Sequence, residues 1–199
     1  MTASREHKGW YRPRGVPHFD TPERPQFVTF RLADSLPARV VNARAGEGAA
    51  VYRRRIEAAL DAGEGECWLA RPELAEIVRQ ALLNGCGRSH DLCAYVVMPN
   101  HVHVLTVFRV DFRLPDVVRS WKGYSARQIN ARLGRQGAFW QKDYFDRYVR
   151  DEAHFERVRA YIENNPVAAG LISNAAHWRL SSLAHEGRVG LQADDVSNA

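Results

Sequence analysis

The order of patterns along the chain predicts an α+β fold, a ferredoxin-like split βαβ sandwich with an added C-terminal helix. Three observations carry this expectation. A stretch near residue 26 alternates like a strand, two apolar stretches are separated only by Pro99-Asn100, and helical patterns interleave with them. The order is strand, helices, strand, strand, helix, strand, helix.

Residues 1–25 mix Arg, Lys, Pro and aromatics without periodicity and read as an irregular basic arm. Residues 26–32 alternate, are rich in β-formers, and are stopped by Asp34, Ser35 and Pro37. From Pro37 to Ala62 the pattern is helical, with Gly46 and Gly48 breaking it ahead of residues 49–62; a second helix spans 72–83 and ends near Gly85. Residues 92–98 form a nearly continuous apolar run, hence a buried strand, and residues 101–108 the next. The short link pairs them as neighbours. Pro115 opens a long helix to Leu133, with Val118, Trp121, Ile129 and Leu133 facing inward, and Gly134 and Gly137 ending it. Residues 139–149 are aromatic and β-branched enough for a final strand. Asp151 caps a helix over 152–165 that Pro166 halts. Residues 26–183 thus make one domain, and 184–199 read as a disordered tail.

Basic residues exceed acidic ones by 28 to 23 in 199 residues, a balance that suits a polyanionic partner. No apolar run approaches the ~20 residues of a membrane-spanning helix. The charged N-terminal stretch has no apolar segment or cleavage site after it, so the expected compartment is the cytoplasm, with no membrane partner. Cys67, Cys86 and Cys93 match neither a redox pair nor a four-ligand zinc site and are expected as reduced thiols.

Residues two apart on a strand share a face, so His101 and His103 present adjacent imidazoles while Val102 points the other way. That is half of a metal site, although paired imidazoles also serve as ordinary strand residues. On the last helix Tyr161 and Asn165 lie four apart and share a face, beside a core stripe of Phe155, Val158 and Ile162. Spacing alone leaves Tyr161 equally well explained as a rim aromatic.

The stretch from Tyr95 to Leu105, with its Val97-Met98-Pro99-Asn100-His101-Val102-His103 core, resembles the HUH single-tyrosine transposases. Trp140-Gln141 and Tyr161-Ile162-Glu163-Asn164-Asn165-Pro166-Val167 extend the resemblance, and within that family it is to the REP-associated tyrosine transposases. It runs from about Phe27 to the segment His177–Ser182. It implies that His101, His103 and Asn165 hold a divalent metal, Mg2+ or Mn2+, and that Tyr161 is the catalytic nucleophile. It further implies cleavage and rejoining of single-stranded or hairpin DNA through a 5′-phosphotyrosine, with a homodimer left open. Insertion-sequence relatives often carry Gln where this chain has Asn165.

Tyr144 and Tyr148 are rival nucleophiles that lack an amide one helical turn ahead, and Tyr124 reads as packing. Arg119, Lys122, Arg127, Arg132 and Arg135 offer a DNA phosphate path, although such a face is more often simply solvated. The competing functional readings are a non-catalytic binder of structured DNA and a zinc protein, the latter short of a fourth strong ligand.

Overall fold

The computed structural model describes residues 6–13, 17–37, 40 and 48–185. Within the N-terminal stretch, β1 (Gly9–Tyr11) and β2 (His18–Asp20) pair antiparallel as a two-stranded ribbon, which corrects the expectation of an irregular arm. A lone ribbon is marginal in water, and partners from distant sequence supply what it lacks. The Asp20 carboxylate accepts from the Lys8 and Leu114 backbone N–H groups, both at 3.1 Å. His18 pairs with the buried Asp146, and the Tyr11 and Tyr144 hydroxyls are 3.1 Å apart. Such tertiary bonds leave no periodic trace in the sequence.

The main sheet consists of β3 (Pro25–Arg31), β4 (His90–Val97), β5 (His101–Phe108) and β6 (Phe145–Tyr148). Its order is β4-β5-β3-β6 with every neighbour antiparallel, the arrangement expected of a split βαβ sandwich. Among the described residues four longer α-helices accompany it: α1 (Ala49–Asp61), α2 (Pro72–Leu83), α3 (Leu114–Leu133) and α4 (Glu152–Ala168). Strand alternation divides the core. Val28, Phe30, Val102 and Val104 are buried with Leu74 and Val78 of α2 and Val118, Trp121 and Ile129 of α3. Phe27, Leu105 and Met98 are buried with Phe155, Val158 and Ile162 of α4, the added helix, on the opposite face.

Three boundaries differ from expectation. Of residues 139–149 Phe145–Tyr148 forms the strand, and Trp140 adds one isolated antiparallel bridge to Leu32; Phe139 and Trp140 are buried in the core, where Trp140 Nε1 donates to Ser125 Oγ at 3.0 Å. Indole burial with its N–H satisfied wins over β propensity. Pro166 does not halt α4, which continues to Ala168. Proline costs a helix the bond its own N–H would make, and the bonds from Ala169 N to Asn165 O and from Leu171 N to Pro166 O, both 2.9 Å, carry the last turn past it. Leu133 is only half-buried, and Tyr124 is exposed rather than packed. Of the expected tail, residues 184 and 185 belong to a short 3-10 turn, Leu183–His185, and residues 186–199 lie outside the described residues, as does most of 37–47.

Beyond α1 the chain passes so close to the end of β3 that residue 65 has no room for a side chain. Gly65 has φ +89°, and a Cβ there would stand 2.8 Å from the Asp34 carbonyl oxygen. This approach, with the Leu69 N bond to Pro99 O at 3.0 Å, brings the end of α1 beside the β4–β5 turn.

Candidate active site

The β5 alternation places both His101 and His103 on the α4 face, each only 1% exposed. Asn100 determines the state of the first. Its Nδ2 donates to the carbonyls of Leu60 (3.1 Å) and Glu64 (3.0 Å), leaving Oδ1 to accept from His101 Nδ1 at 2.7 Å. His101 therefore carries its proton on Nδ1 and presents a lone pair at Nε2. The cross-strand partner of His103 is Thr29, whose Oγ1 stands 2.7 Å from His103 Nδ1. A hydroxyl can donate or accept, so either tautomer of His103 fits.

The two Nε2 atoms are 3.1 Å apart. Burial lowers the pKa of His101 to about 3 and that of His103 well below the ordinary imidazole value. Both rings are therefore neutral at physiological pH, the form that binds metal.

The capped helix α4, with Asp151 accepting from His154 N at 2.7 Å, lays Tyr161 and Asn165 over this pair. The Tyr161 hydroxyl is 3.5 Å from His103 Nε2, and its ring meets Phe27 edge-on with centroids 6.0 Å apart. Burial, reinforced by the negative charges of Glu57 and Asp61, pushes this phenol above its ordinary pKa. Asn165 is 1% exposed. Its amide lies near enough to His101, Asp61 and Tyr161 to bias the protonation of each, yet neither Oδ1 nor Nδ2 makes a well-formed hydrogen bond. Asp61 Oδ1 is likewise buried and unpartnered, 3.9 Å from His101 Nε2. An unmet buried polar group costs about 1–3 kcal/mol, and three such atoms gather at this one place.

These orphaned atoms test the metal expectation. Two neutral imidazole nitrogens and an amide oxygen with no other partner form a mixed donor set that fits Mg2+ or Mn2+. Among the described residues no group of three His, Cys, Asp or Glu is already arranged as a metal cage, so the amide is needed to complete the set.

A cleft of about 360 Å³ opens beside Tyr161, lined among others by Phe27, Arg54, Phe145, Arg147, His154 and Arg157. Sequence reasoning missed these cations. One signal was available for Arg157, which stands four residues before Tyr161 as Asn165 stands four after it. Arg54 and Arg147 reach the cleft from other elements and left no such signal.

The basic residues singled out from sequence go elsewhere. Arg119, Lys122, Arg127 and Arg132 belong to α3, on the sheet face opposite the histidine pair, and Arg135 follows it. Arg119 pairs with Asp116 at 3.1 Å, and Arg135 lies over the Trp68 ring, 5.6 Å from its centroid. Lys122, expected at the surface, is half-buried and donates to the carbonyls of Gln141 (2.8 Å) and Lys142 (2.9 Å). Arg127 and Arg132 remain exposed. The rival tyrosines are engaged with the ribbon: Tyr144 through Tyr11 and His18, and Tyr148 against Phe19 at 5.0 Å.

Residues 70–165, which contain His101, His103, Tyr161 and Asn165, match the family model described as IS200-like transposase. Over that span, just under half of the chain, the sequence is similar to that family. Among solved structures, the chain is similar to a REP-associated tyrosine transposase bound to a REP hairpin, with a TM-score of 0.55 and 17% identity over 85% of this chain and 82% of that one. This likeness establishes a shared fold. A second similar structure is a candidate transposase from Deinococcus radiodurans R1, with a TM-score of 0.37 and 21% identity over 78% of this chain and 97% of that one. No curated protein matches the chain.

Proposed function

We propose that the protein is a metal-dependent endonuclease and strand transferase for single-stranded DNA. In this reading His101, His103 and Asn165 hold Mg2+ or Mn2+, and Tyr161 is the nucleophile. One observation carries the proposal: the Tyr161 hydroxyl, the paired Nε2 atoms and the unpartnered Asn165 amide meet at one buried place.

When bound at His101, His103 and Asn165, a divalent ion would supply Lewis-acid polarisation of the scissile phosphate and positive charge beside a phenol whose pKa is raised by burial and then by Glu57 and Asp61. Tyr161 Oη attacks phosphorus, its proton is released, and the bond from phosphorus to the leaving 3′-oxygen breaks. The products are a 5′-phosphotyrosine and a free 3′-hydroxyl. A phenolate leaves more readily than an alkoxide, so a second DNA hydroxyl can reverse the step and rejoin the strand. Thr29 and Asn100 set the orientation of the two rings through their Nδ1 atoms. The adjoining cleft supplies Arg54, Arg147 and Arg157 for phosphates and Phe27 and Phe145 as apolar surfaces for bases. Hairpin DNA is the substrate we favour, since the fold neighbour was solved with a REP hairpin.

The test is incubation with labelled hairpin-containing single-stranded DNA and Mn2+, followed by mass spectrometry of the denatured protein. A covalent adduct on Tyr161 is expected, absent from Tyr161→Phe. An undiminished adduct in that variant would overturn the assignment.

A further inference from the structure

Asp61 ends α1, ahead of the span that matches the family, and its carboxylate approaches the histidine pair from a third element. Asn100 brings it there. By bonding the carbonyls of Leu60 and Glu64, this residue ties the end of α1 to the same strand junction that orients His101. The close approach of Gly65 to Asp34 shortens the exit from the helix and keeps that end in place. The carboxylate faces the site with Oδ1 buried and without a hydrogen bond, although solvent is close at hand: the side chain as a whole is 28% exposed. A surface aspartate with no task at the site would turn that oxygen to water.

The geometry points to Asp61 as a fourth, anionic protein ligand of the divalent ion, a role that rests on the metal-dependent reading above. Ligands about 2.1 Å from one ion stand about 3 Å apart at right angles and about 4 Å apart across it. The 3.1 Å between the imidazole Nε2 atoms and the 3.9 Å from His101 Nε2 to Asp61 Oδ1 both fall within that range. The carboxylate is not already closed into a cage with both histidines, so it has a short movement to make onto the ion.

Chemistry favours the assignment as well. Two imidazoles and an amide are a neutral set, weak for hard cations that prefer oxygen, and one carboxylate supplies both a hard donor and a charge. The C-terminal end of α1 adds its partial negative charge on the same side. Ligand geometry would then couple α1, which also contributes Arg54 to the cleft, to metal binding.

Mn2+ affinity of the full-length protein, measured by electron paramagnetic resonance without DNA, tests the ligand role directly. Asp61→Asn is expected to weaken Mn2+ binding by at least about tenfold with an unchanged circular dichroism spectrum. Affinity within twofold of the unsubstituted protein would overturn the proposal. Should that variant fail to fold, the unsubstituted protein labelled with 13C-aspartate answers the question. A carboxylate 13C hyperfine coupling to bound Mn2+ is expected, and its absence overturns the assignment. If the unsubstituted protein binds no Mn2+ at all, the metal-dependent reading itself falls and takes this one with it; tight binding lost in His101→Ala but retained in Asp61→Asn removes Asp61 alone.

Discussion

On one face of the sheet, Val102 and Val104 of β5 are buried among Leu74, Val78, Val118 and Ile129; on the other, the alternate residues of the same strand, His101 and His103, meet Tyr161 and Asn165. Backbone geometry is the same for both sets, because adjacent side chains of one strand simply point opposite ways. The first face gains from excluding water, at roughly 25 cal/mol per Å² of apolar area. The second gathers the unpartnered Asn165 amide and Asp61 Oδ1 around two uncharged imidazoles held edge to edge, whereas the first carries unpartnered atoms such as Trp121 Nε1 amid apolar side chains. A single strand thus divides the work of stabilising the fold from the work of presenting donors.

The comparison breaks most easily at its largest effect. Trp121, buried against His90 and Phe108, should lose about 3–5 kcal/mol of stability on replacement by Ala, measured by denaturant unfolding. Asn165→Leu should cost far less or even stabilise, since it removes two unmet polar atoms, while eliminating the DNA adduct. Equal losses in the two variants would show that Asn165 stabilises the fold as much as a core indole does.

Acid supplies the next test. His90 is buried with Nε2 2.8 Å from the Leu82 carbonyl and Nδ1 2.9 Å from Ser89 Oγ, bonds that satisfy the neutral ring, and burial lowers its pKa. The unfolded chain then binds a proton that the folded one refuses, so stability is full above the ordinary imidazole value near ~6.5 and is lost as pH falls below it. About 1–2 kcal/mol should disappear per such histidine between pH 7 and 5. His90→Gln should flatten that loss by one histidine's share, and an unchanged pH profile would contradict the burial argument.

The smallest effect separates the two basic surfaces. Arg147→Ala with Arg157→Ala should weaken single-stranded DNA binding and reduce the salt dependence by about two ion equivalents. Arg127→Ala with Arg132→Ala, on the far face, should leave both unchanged. The reverse outcome would move the DNA path to α3.

The strand β5, buried on both faces, was marked off by the Pro99-Asn100 turn signal ahead of it. Periodicity gave α2 its bounds because that helix buries one regular face, and a buried face repeats in the sequence with the geometry of its element. It failed at residues 1–25, where the ribbon depends on Asp146, Tyr144 and Leu114, more than a hundred and twenty, a hundred and thirty and ninety residues away for their respective partners Phe19, Tyr11 and Asp20. It also failed at Phe139 and Trp140, whose aromatic character fits a strand and a core equally well.

The sequence by itself determined the strand that pairs His101 with His103 and the helix that pairs Tyr161 with Asn165, since both pairings follow from the repeat of one element. Only the tertiary structure decided that these two pairs face each other, that Asn100 sets the proton on His101, and that Arg54 and Asp61 of α1 and Arg147 of β6 arrive beside them. The reason is physical: spacing along the chain encodes which residues share a face, whereas the facing of two elements depends on how the whole core closes around them.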